Sequence, residues 1–285
     1  MIDVRLVTCD SLPAHDPDTP IIEAALRAEG LEVDIAGWRD PAADWADARL
    51  TLVRSPWDYT SVRDEFCGWA YDVAKVSSVW NPAPLLEWNT HKSYLLDVAA
   101  RGAPVVPTVV LLRGSAASLD GIADAQGWNA VVVKPAVGIG AEGSSRFDLG
   151  DPSGQKHLDA RLELGDVIVQ PFVDGVHDGE LSIVLFDGVV SHAVRKHPAT
   201  GDYRVQEQYG GRNELVDASA DARELAERVC TLLPERPCYA RIDLLWSRDG
   251  WQVIEVEATE PSLFLELAPS SATEAFIRAI AARLG

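Results

Sequence analysis

The segment 239–262, YARIDLLWSRDGWQVIEVEATEPS, constrains this chain more than any other stretch. Two runs of strand-forming residues flank Arg248, Asp249 and Gly250, which read as a three-residue hairpin loop with glycine where φ must be positive. Counting back from Ser247 opposite Trp251 sets Asp243 opposite Glu255 and Arg241 opposite Glu257. Residues two apart on a strand share a face, so Arg241, Asp243, Glu255 and Glu257 converge, while Ile242, Leu244, Ile254 and Val256 form the buried face. Facing carboxylates repel across a ladder. A cation between them reverses the sign, and Mg²⁺ takes one or two carboxylates and completes its shell with waters and phosphate oxygens. From the hairpin alone, a solvated acidic face fits the same pattern.

The rest of the chain narrows the choice. Its 285 residues suffice for two or three lobes, and a net charge of −19 argues against a nucleic-acid backbone or an anionic membrane as partner. An anionic substrate would then need local cations and Mg²⁺ to hold it. No apolar run reaches membrane-spanning length, and MIDVRLVTCD is not a signal peptide. The four cysteines, Cys9, Cys67, Cys230 and Cys238, are scattered without a CxxC and fit a reduced, cytoplasmic setting. None of the six histidines shows metal-site spacing.

Residues 1–80 alternate strands (4–8, 31–36, 50–54) with helices (19–29, 61–74), which implies a small parallel sheet. In the first helix Thr19 is the expected N-cap, Pro20 the first helical residue and Gly30 the stop. The turn at Cys9, Asp10 and Ser11 has no glycine fingerprint, so no dinucleotide site is expected there. RSPWDY at 54–59 ends a strand where ligands of open α/β sheets bind, and Arg54, Trp57, Asp58 and Tyr59 could grip a small zwitterion. The alternative is a loop tied down by Trp57, with Arg54 paired to Asp58. Residues 81–88 read as a Pro-rich linker. A helix capped by Asn89 or Thr90 then runs to Arg101, with Lys92 in its first turn. Strands at 108–112 and 130–134 bracket a helix at 118–126.

Lys134 precedes Gly138, Gly140 and Gly143. This G-x-G-x-x-G does not open a helix, because 144–149 reads as a returning strand, so it suits a flap closing over phosphates rather than a Rossmann turn. A mobile Gly/Ser loop is the alternative. A strand at 167–170 leads into Pro171, Phe172 and Val173, then a hairpin over 180–196 turning at Asp187 and Gly188. Arg195, Lys196, Arg204 and Arg212 follow as a local cationic cluster. Helices at 219–233 and 271–284 complete the chain, the latter with a Ser271/Glu274 capping box.

The ordered set of motifs resembles the ATP-grasp superfamily, and within it glutathione synthetase, D-alanine–D-alanine ligase and the ribosomal-protein-modification glutamate ligases. The likeness covers about 88–266; residues 1–80 agree with the family's preceding domain in topology. It implies an α/β fold, α+β in part, with a Rossmann-like pre-ATP-grasp domain (1–87), a central α/β lobe carrying the flap (88–172) and a C-terminal α+β lobe with the metal site (173–285). It implies that Lys92 and Lys134 contact nucleotide phosphates, that Gln170, Phe172 and Val173 border the adenine, and that Glu180 binds the ribose. Arg241, Arg204 and Lys134 take the catalytic roles, and Asp243, Glu255 and Glu257 ligate Mg²⁺. The cofactors implied are ATP and two Mg²⁺, with Mn²⁺ able to substitute. Glu257 stands where the family usually has Asn, so it either strengthens the metal site or pairs with Arg241. Gln206 likewise replaces an Asn.

RSPWDY, Asn81-Pro82 and WNTHK at 88–92 are similar to stand-alone bacterial ATP-grasp proteins that include the cyclo-ligase closing O-ureido-D-serine to D-cycloserine. This implies an ADP-forming cyclisation of one small amino-acid-type substrate through an acyl phosphate, with Ser262 beside the substrate. An intermolecular dipeptide-type ligase and a non-catalytic nucleotide-binding regulator are the alternatives. A homodimer is the base-rate expectation.

Overall fold

Strand–helix alternation in the first 80 residues builds a parallel sheet, as the pattern predicts. The structure, a computed structural model, describes residues 1–9 and 16–284. Strands β1 (Ile2–Thr8), β2 (Val33–Gly37), β3 (Ala48–Ser55) and β4 (Ser78–Trp80) pair in parallel in the order β2-β1-β3-β4, connected by α1 (Asp18–Ala28) and α2 (Arg63–Val73). Asp10 and Ser11, in the turn expected to lack a dinucleotide fingerprint, lie outside the described residues. Thr19 does not cap α1. The Asp16 carboxylate accepts from the backbone N–H groups of Asp18 and Thr19 at 3.1 and 3.2 Å, so the helix starts earlier and Pro20 falls inside its first turn. Gly30 does close it, in the left-handed region at φ 80°.

The expected linker is folded. Helix α3 (Ala83–Asn89) follows Pro82, and α4 (Tyr94–Ala100) starts late enough that Lys92 stands between the two helices. Asn89 and Thr90 therefore end α3 rather than cap α4. Leu85 and Leu86 of α3 are fully buried, and a helix this short carries too little periodicity to be read from sequence.

The central sheet is antiparallel throughout, in the order β5-β8-β6-β7. It consists of β5 (Val109–Leu111), β6 (Ala130–Pro135), β7 (Ser145–Asp148) and β8 (Val167–Pro171), with α5 (Leu119–Gln126) and α6 (Pro152–Leu164) packed on it. Helix α6 escapes the sequence reading because it is polar nearly all round. It buries only Gly154, Leu158 and Leu162.

The C-terminal sheet, β11-β10-β9-β12-β13, comprises β9 (Glu180–Phe186), β10 (Val189–His197), β11 (Arg212–Val216), β12 (Tyr239–Ser247) and β13 (Gly250–Glu257). Helix α7 (Ala220–Thr231) covers its inner face, and α8 (Ser270–Ala281) reaches back to α1 in a core shared with Val4, Leu6, Leu50 and Leu52. The predicted capping box does not form, because α8 begins at Ser270 behind Pro269 and Ser271 is already inside the helix. Among the described residues no helix is long and apolar enough to cross a membrane. All four cysteines are buried, and among the described residues none forms a disulfide.

The 239–262 hairpin reaches its expected pairing by a different route. Its loop has two residues, Arg248 and Asp249, and Ser247 pairs with Gly250, which takes φ 100°. A β-bulge between Asp243 and Leu244 on the register then restores Asp243 opposite Glu255 and Arg241 opposite Glu257. The bulge puts Val253, not Ile254, on the buried face with Ile242, Leu244 and Val256. Ile254 turns instead to the cavity described next.

Candidate active site

A cavity of about 530 Å³ opens where the three sheets meet, large enough for a nucleotide-sized ligand. Its floor is the β12–β13 hairpin. One carboxylate oxygen each of Asp243, Glu255 and Glu257 lies within 4.8 Å of the other two, close enough for the three to share a metal ion. Asp243 is deepest, 1% exposed. It accepts two bonds from Arg241 (Nε and Nη2, each 2.9 Å), one from Ser182 Oγ (2.7 Å) and one from Lys196 Nζ (2.9 Å). Burial opposes its ionisation, but Arg241 and Lys196 hold the carboxyl far below the usual range. Glu257 pairs with Arg241, and burial still pushes its carboxyl up to about 8. Of the two alternatives for Glu257, the pair with Arg241 is formed, and a Glu257 oxygen also lies within 4.8 Å of oxygens of Asp243 and Glu255.

Lys92 Nζ lies 3.0 Å from Glu255 Oε1 and donates to Gly138 O at 2.6 Å, joining floor to flap. Against burial, Lys92 and Lys134 hold Glu255 below the ordinary carboxylate range. Among the described residues the Lys134 side chain forms no hydrogen bond or close ion pair, and burial lowers its pKa. That is the state of a cation waiting for an anion. The flap between β6 and β7 holds Gly140 and Gly143 at positive φ, 59° and 70°. Gln208 Nε2 donates to Gly140 O (3.0 Å), so the flap meets the 199–211 loop across the cavity mouth.

Gln170, Phe172, Val173 and Glu180 line the cavity. Gln170 Nε2 is fixed by Thr108 Oγ1 at 2.9 Å, and its Oε1 is buried without a partner, as is Gln206 Oε1. Glu180 pairs with Lys196, yet burial pushes its carboxyl up to about 7. Arg204 is held by Asp202 and lies 3.7 Å from the Tyr209 ring centroid. Arg212 leaves the expected cationic cluster, since it points outward and pairs with Glu214.

Of the RSPWDY residues, Trp57 and Tyr59 line the cavity, as does Ser262, whose carbonyl accepts from Arg241 Nη1 at 3.2 Å. Arg54 and Asp58 do not. Arg54 is 1% exposed, donates to Pro261 O at 2.9 Å and lies 3.7 Å from Asp18, in the joint between β3 and the segment after β13. Asp58 accepts from Trp38 Nε1 at 2.6 Å, so neither the zwitterion grip nor the Arg54–Asp58 pair is formed. Lys196 and Glu260 belong to the site; the sequence places Lys196 only as a member of the cationic cluster, not opposite Glu180, and Glu260 escapes the sequence reading. Counting from the Asp187-Gly188 turn sets Lys196 opposite Gly179, and a bulge between Val190 and His192 shifts it to Glu180. Glu260 carries no sequence signal beyond an acidic residue before Pro261.

These residues fit Mg·ATP: a carboxylate triad with Asp243 buried at its base, an unpartnered ammonium, two orphaned amide oxygens and a glycine flap. Residues 104–271 match the ATP-grasp domain of prokaryotic glutathione synthetase. The chain belongs to the ATP-grasp family of ligases. Residues 4–81 match the N-terminal domain of the D-cycloserine synthetase DcsG. Cycloserine biosynthesis protein DcsG of Streptomyces lavendulae is 34% identical over 293 residues, 96% of each chain. The crystal structure of D-cycloserine synthetase DcsG superposes with a TM-score of 0.88 at 31% identity, covering 99% of both chains. D-alanine–D-alanine ligase from Bacillus anthracis, complexed with ATP, shares the fold (TM-score 0.73, 13% identity, 100% of this chain and 97% of that one). The protein is an ATP-dependent ligase with the ATP-grasp fold, and ATP-grasp ligases work with ATP and a divalent metal.

Proposed function

We propose that this ligase closes O-ureido-D-serine to D-cycloserine. The observation that carries the substrate is the N-terminal match to the DcsG domain over 4–81, because that segment supplies Trp57 and Tyr59 to the cavity wall. A glutathione synthetase-like core alone would leave the substrate open.

In this reading Lys92, Lys134 and the 138–143 flap hold the nucleotide phosphates, Gln170, Phe172 and Val173 border the adenine, and Glu180 meets the ribose. Asp243, Glu255 and Glu257 would hold divalent metal, two Mg²⁺ with Mn²⁺ able to substitute, and the metal neutralises phosphate charge. Arg241 and Arg204 stabilise the transferred phosphoryl group. A substrate carboxylate oxygen attacks the γ-phosphorus, and the bond to ADP breaks. The nitrogen bonded to oxygen in the same molecule then attacks the acyl carbon, forming the ring C–N bond. Phosphate leaves with the carboxylate oxygen and the nitrogen's proton. The carbamoyl group departs with one water as carbon dioxide and ammonia. The chain contributes position and charge rather than a nucleophile, and a closed flap keeps water from the acyl phosphate. The reading assumes a cytoplasmic setting and a single small-molecule partner, with neither nucleic acid nor membrane.

The test is Mg·ATP-dependent phosphate release with O-ureido-D-serine as the only amine, with products identified by mass. Release accompanied by D-cycloserine is the expected result. Release only after a second amine is added would replace cyclisation with intermolecular ligation.

A further inference from the structure

Glu260 lines the cavity wall beside the carboxylate floor with no cation within ion-pair distance among the described residues. Glu180, Glu255 and Glu257 face Lys196, Lys92 and Arg241 respectively. Asp18 accepts from the N–H groups of Leu263 and Leu265 and has Arg54 beside it. Glu260 differs from all of these. Its Oε1 accepts the Tyr59 hydroxyl at 2.8 Å, and among the described residues no Lys, Arg or His comes within ion-pair distance. Trp57 Nε1 donates to the Glu260 backbone carbonyl at 3.3 Å, so one loop of the N-terminal sheet fixes both the main chain and the carboxylate. Burial pushes the Glu260 carboxyl up to about 7, and neither the Tyr59 hydroxyl nor the more distant charges of Lys92 and Arg241 offset it.

A partly buried carboxylate with an unused oxygen costs free energy unless a cation meets it. Glu260 stands three residues beyond Glu257, beside the carboxylate floor where the substrate's reacting carboxyl group must lie. In an α-amino acid the ammonium is one carbon away from that group. We propose that Glu260 receives the α-ammonium of the amino-acid substrate, with Tyr59 as its positioning residue, so that a free amino group is a condition of tight binding. The inference rests on the ligase reading above.

The experiment compares kcat/KM for O-ureido-D-serine with that for its des-amino analogue, ureidooxypropanoate, in the wild-type protein and in Glu260→Gln. Gln keeps an acceptor for Tyr59 and removes the charge. The expected result is a 10- to 100-fold fall in the ratio of the two, roughly the worth of a hydrogen bond to a charged group, carried by KM of the amino substrate. Tyr59→Phe should move the ratio the same way by less. An unchanged ratio in Glu260→Gln overturns the assignment. Thermal unfolding with Mg·AMPPNP and either compound separates this inference from the cyclisation itself. If neither compound is turned over, the cyclisation reading fails. The subsite still stands if the amino compound raises Tm more than the analogue does and Glu260→Gln abolishes that difference. Equal shifts in both proteins overturn the subsite.

Discussion

At the scale of single residues, the environment of Glu260 has a consequence for stability that needs no ligand. Its carboxyl titrates near 4.5 when unfolded and at about 7 in the folded chain. Below the first value both states are protonated and nothing is lost. Between the two the unfolded state ionises first, so folding stability falls as pH rises, and above about 7 the loss is complete. Glu260→Gln removes the effect. Its Tm should match wild type near pH 4.5 and exceed it increasingly up to pH 7, by at most about 3 kcal/mol in unfolding free energy. A constant difference across this range, measured by thermal melts on ligand-free protein, would show that the carboxyl is not strained by burial. Residue identity alone made Arg241, Asp243 and Glu255 legible, because alternation on a strand fixes which side chains meet. It could not find Glu260 or dismiss Arg54. Both depend on how the segment after β13 docks against the N-terminal sheet, a contact between residues about 200 positions apart.

Among the elements, the α3 region that reads as a linker is what grips the β12–β13 hairpin. Asn81 Nδ2 donates to Tyr239 O and Ala258 O, and its Oδ1 accepts from Cys238 N–H. Asn89 Nδ2 donates to Val256 O (2.7 Å), and its Oδ1 accepts from Ala258 N–H (2.7 Å) and Thr259 Oγ1 (3.1 Å). Both amides are buried, so they satisfy backbone groups that strand pairing leaves open just beyond the carboxylate triad. Asn89→Ala strands those groups and should cost about 3 kcal/mol, read as a lower urea midpoint at constant m. A loss under about 0.5 kcal/mol would mean water replaces the amide. The hairpin itself shows why element-level reading succeeds for mixed reasons. A loop shorter by one residue and a bulge of one residue cancel, leaving the reactive pairs as expected and only Ile254 and Val253 exchanged. Bulges carry no composition signal strong enough to be read from one sequence.

For the whole molecule, the sheets divide into two mechanical parts. The N-terminal and C-terminal sheets share a core in which Val4, Leu50 and Ile22 pack with Phe186, Tyr239 and Phe276, and α8 lies on α1. The central sheet has its own core of Leu119, Val131, Val133, Leu158 and Val169. Of its strands, the shared apolar interior beneath α4 takes in only Ile168, with Val110 packed against it. Alternation made the parallel N-terminal sheet legible, but docking of α8 onto α1 unites the two ends of the chain and leaves no local trace. A part with a private core and a thin apolar joint should move more freely than its neighbours. The polar links that close it onto the rest, Lys92 to Gly138 and Gln208 to Gly140, surround the cavity and would tighten around bound phosphates. Hydrogen exchange should therefore show amides of β6, β7 and the flap protected by Mg·AMPPNP by at least about tenfold, while β1 and β3 change little. Equal protection in all three sheets would mean that the chain is one rigid body, and that ATP enters a cavity already closed.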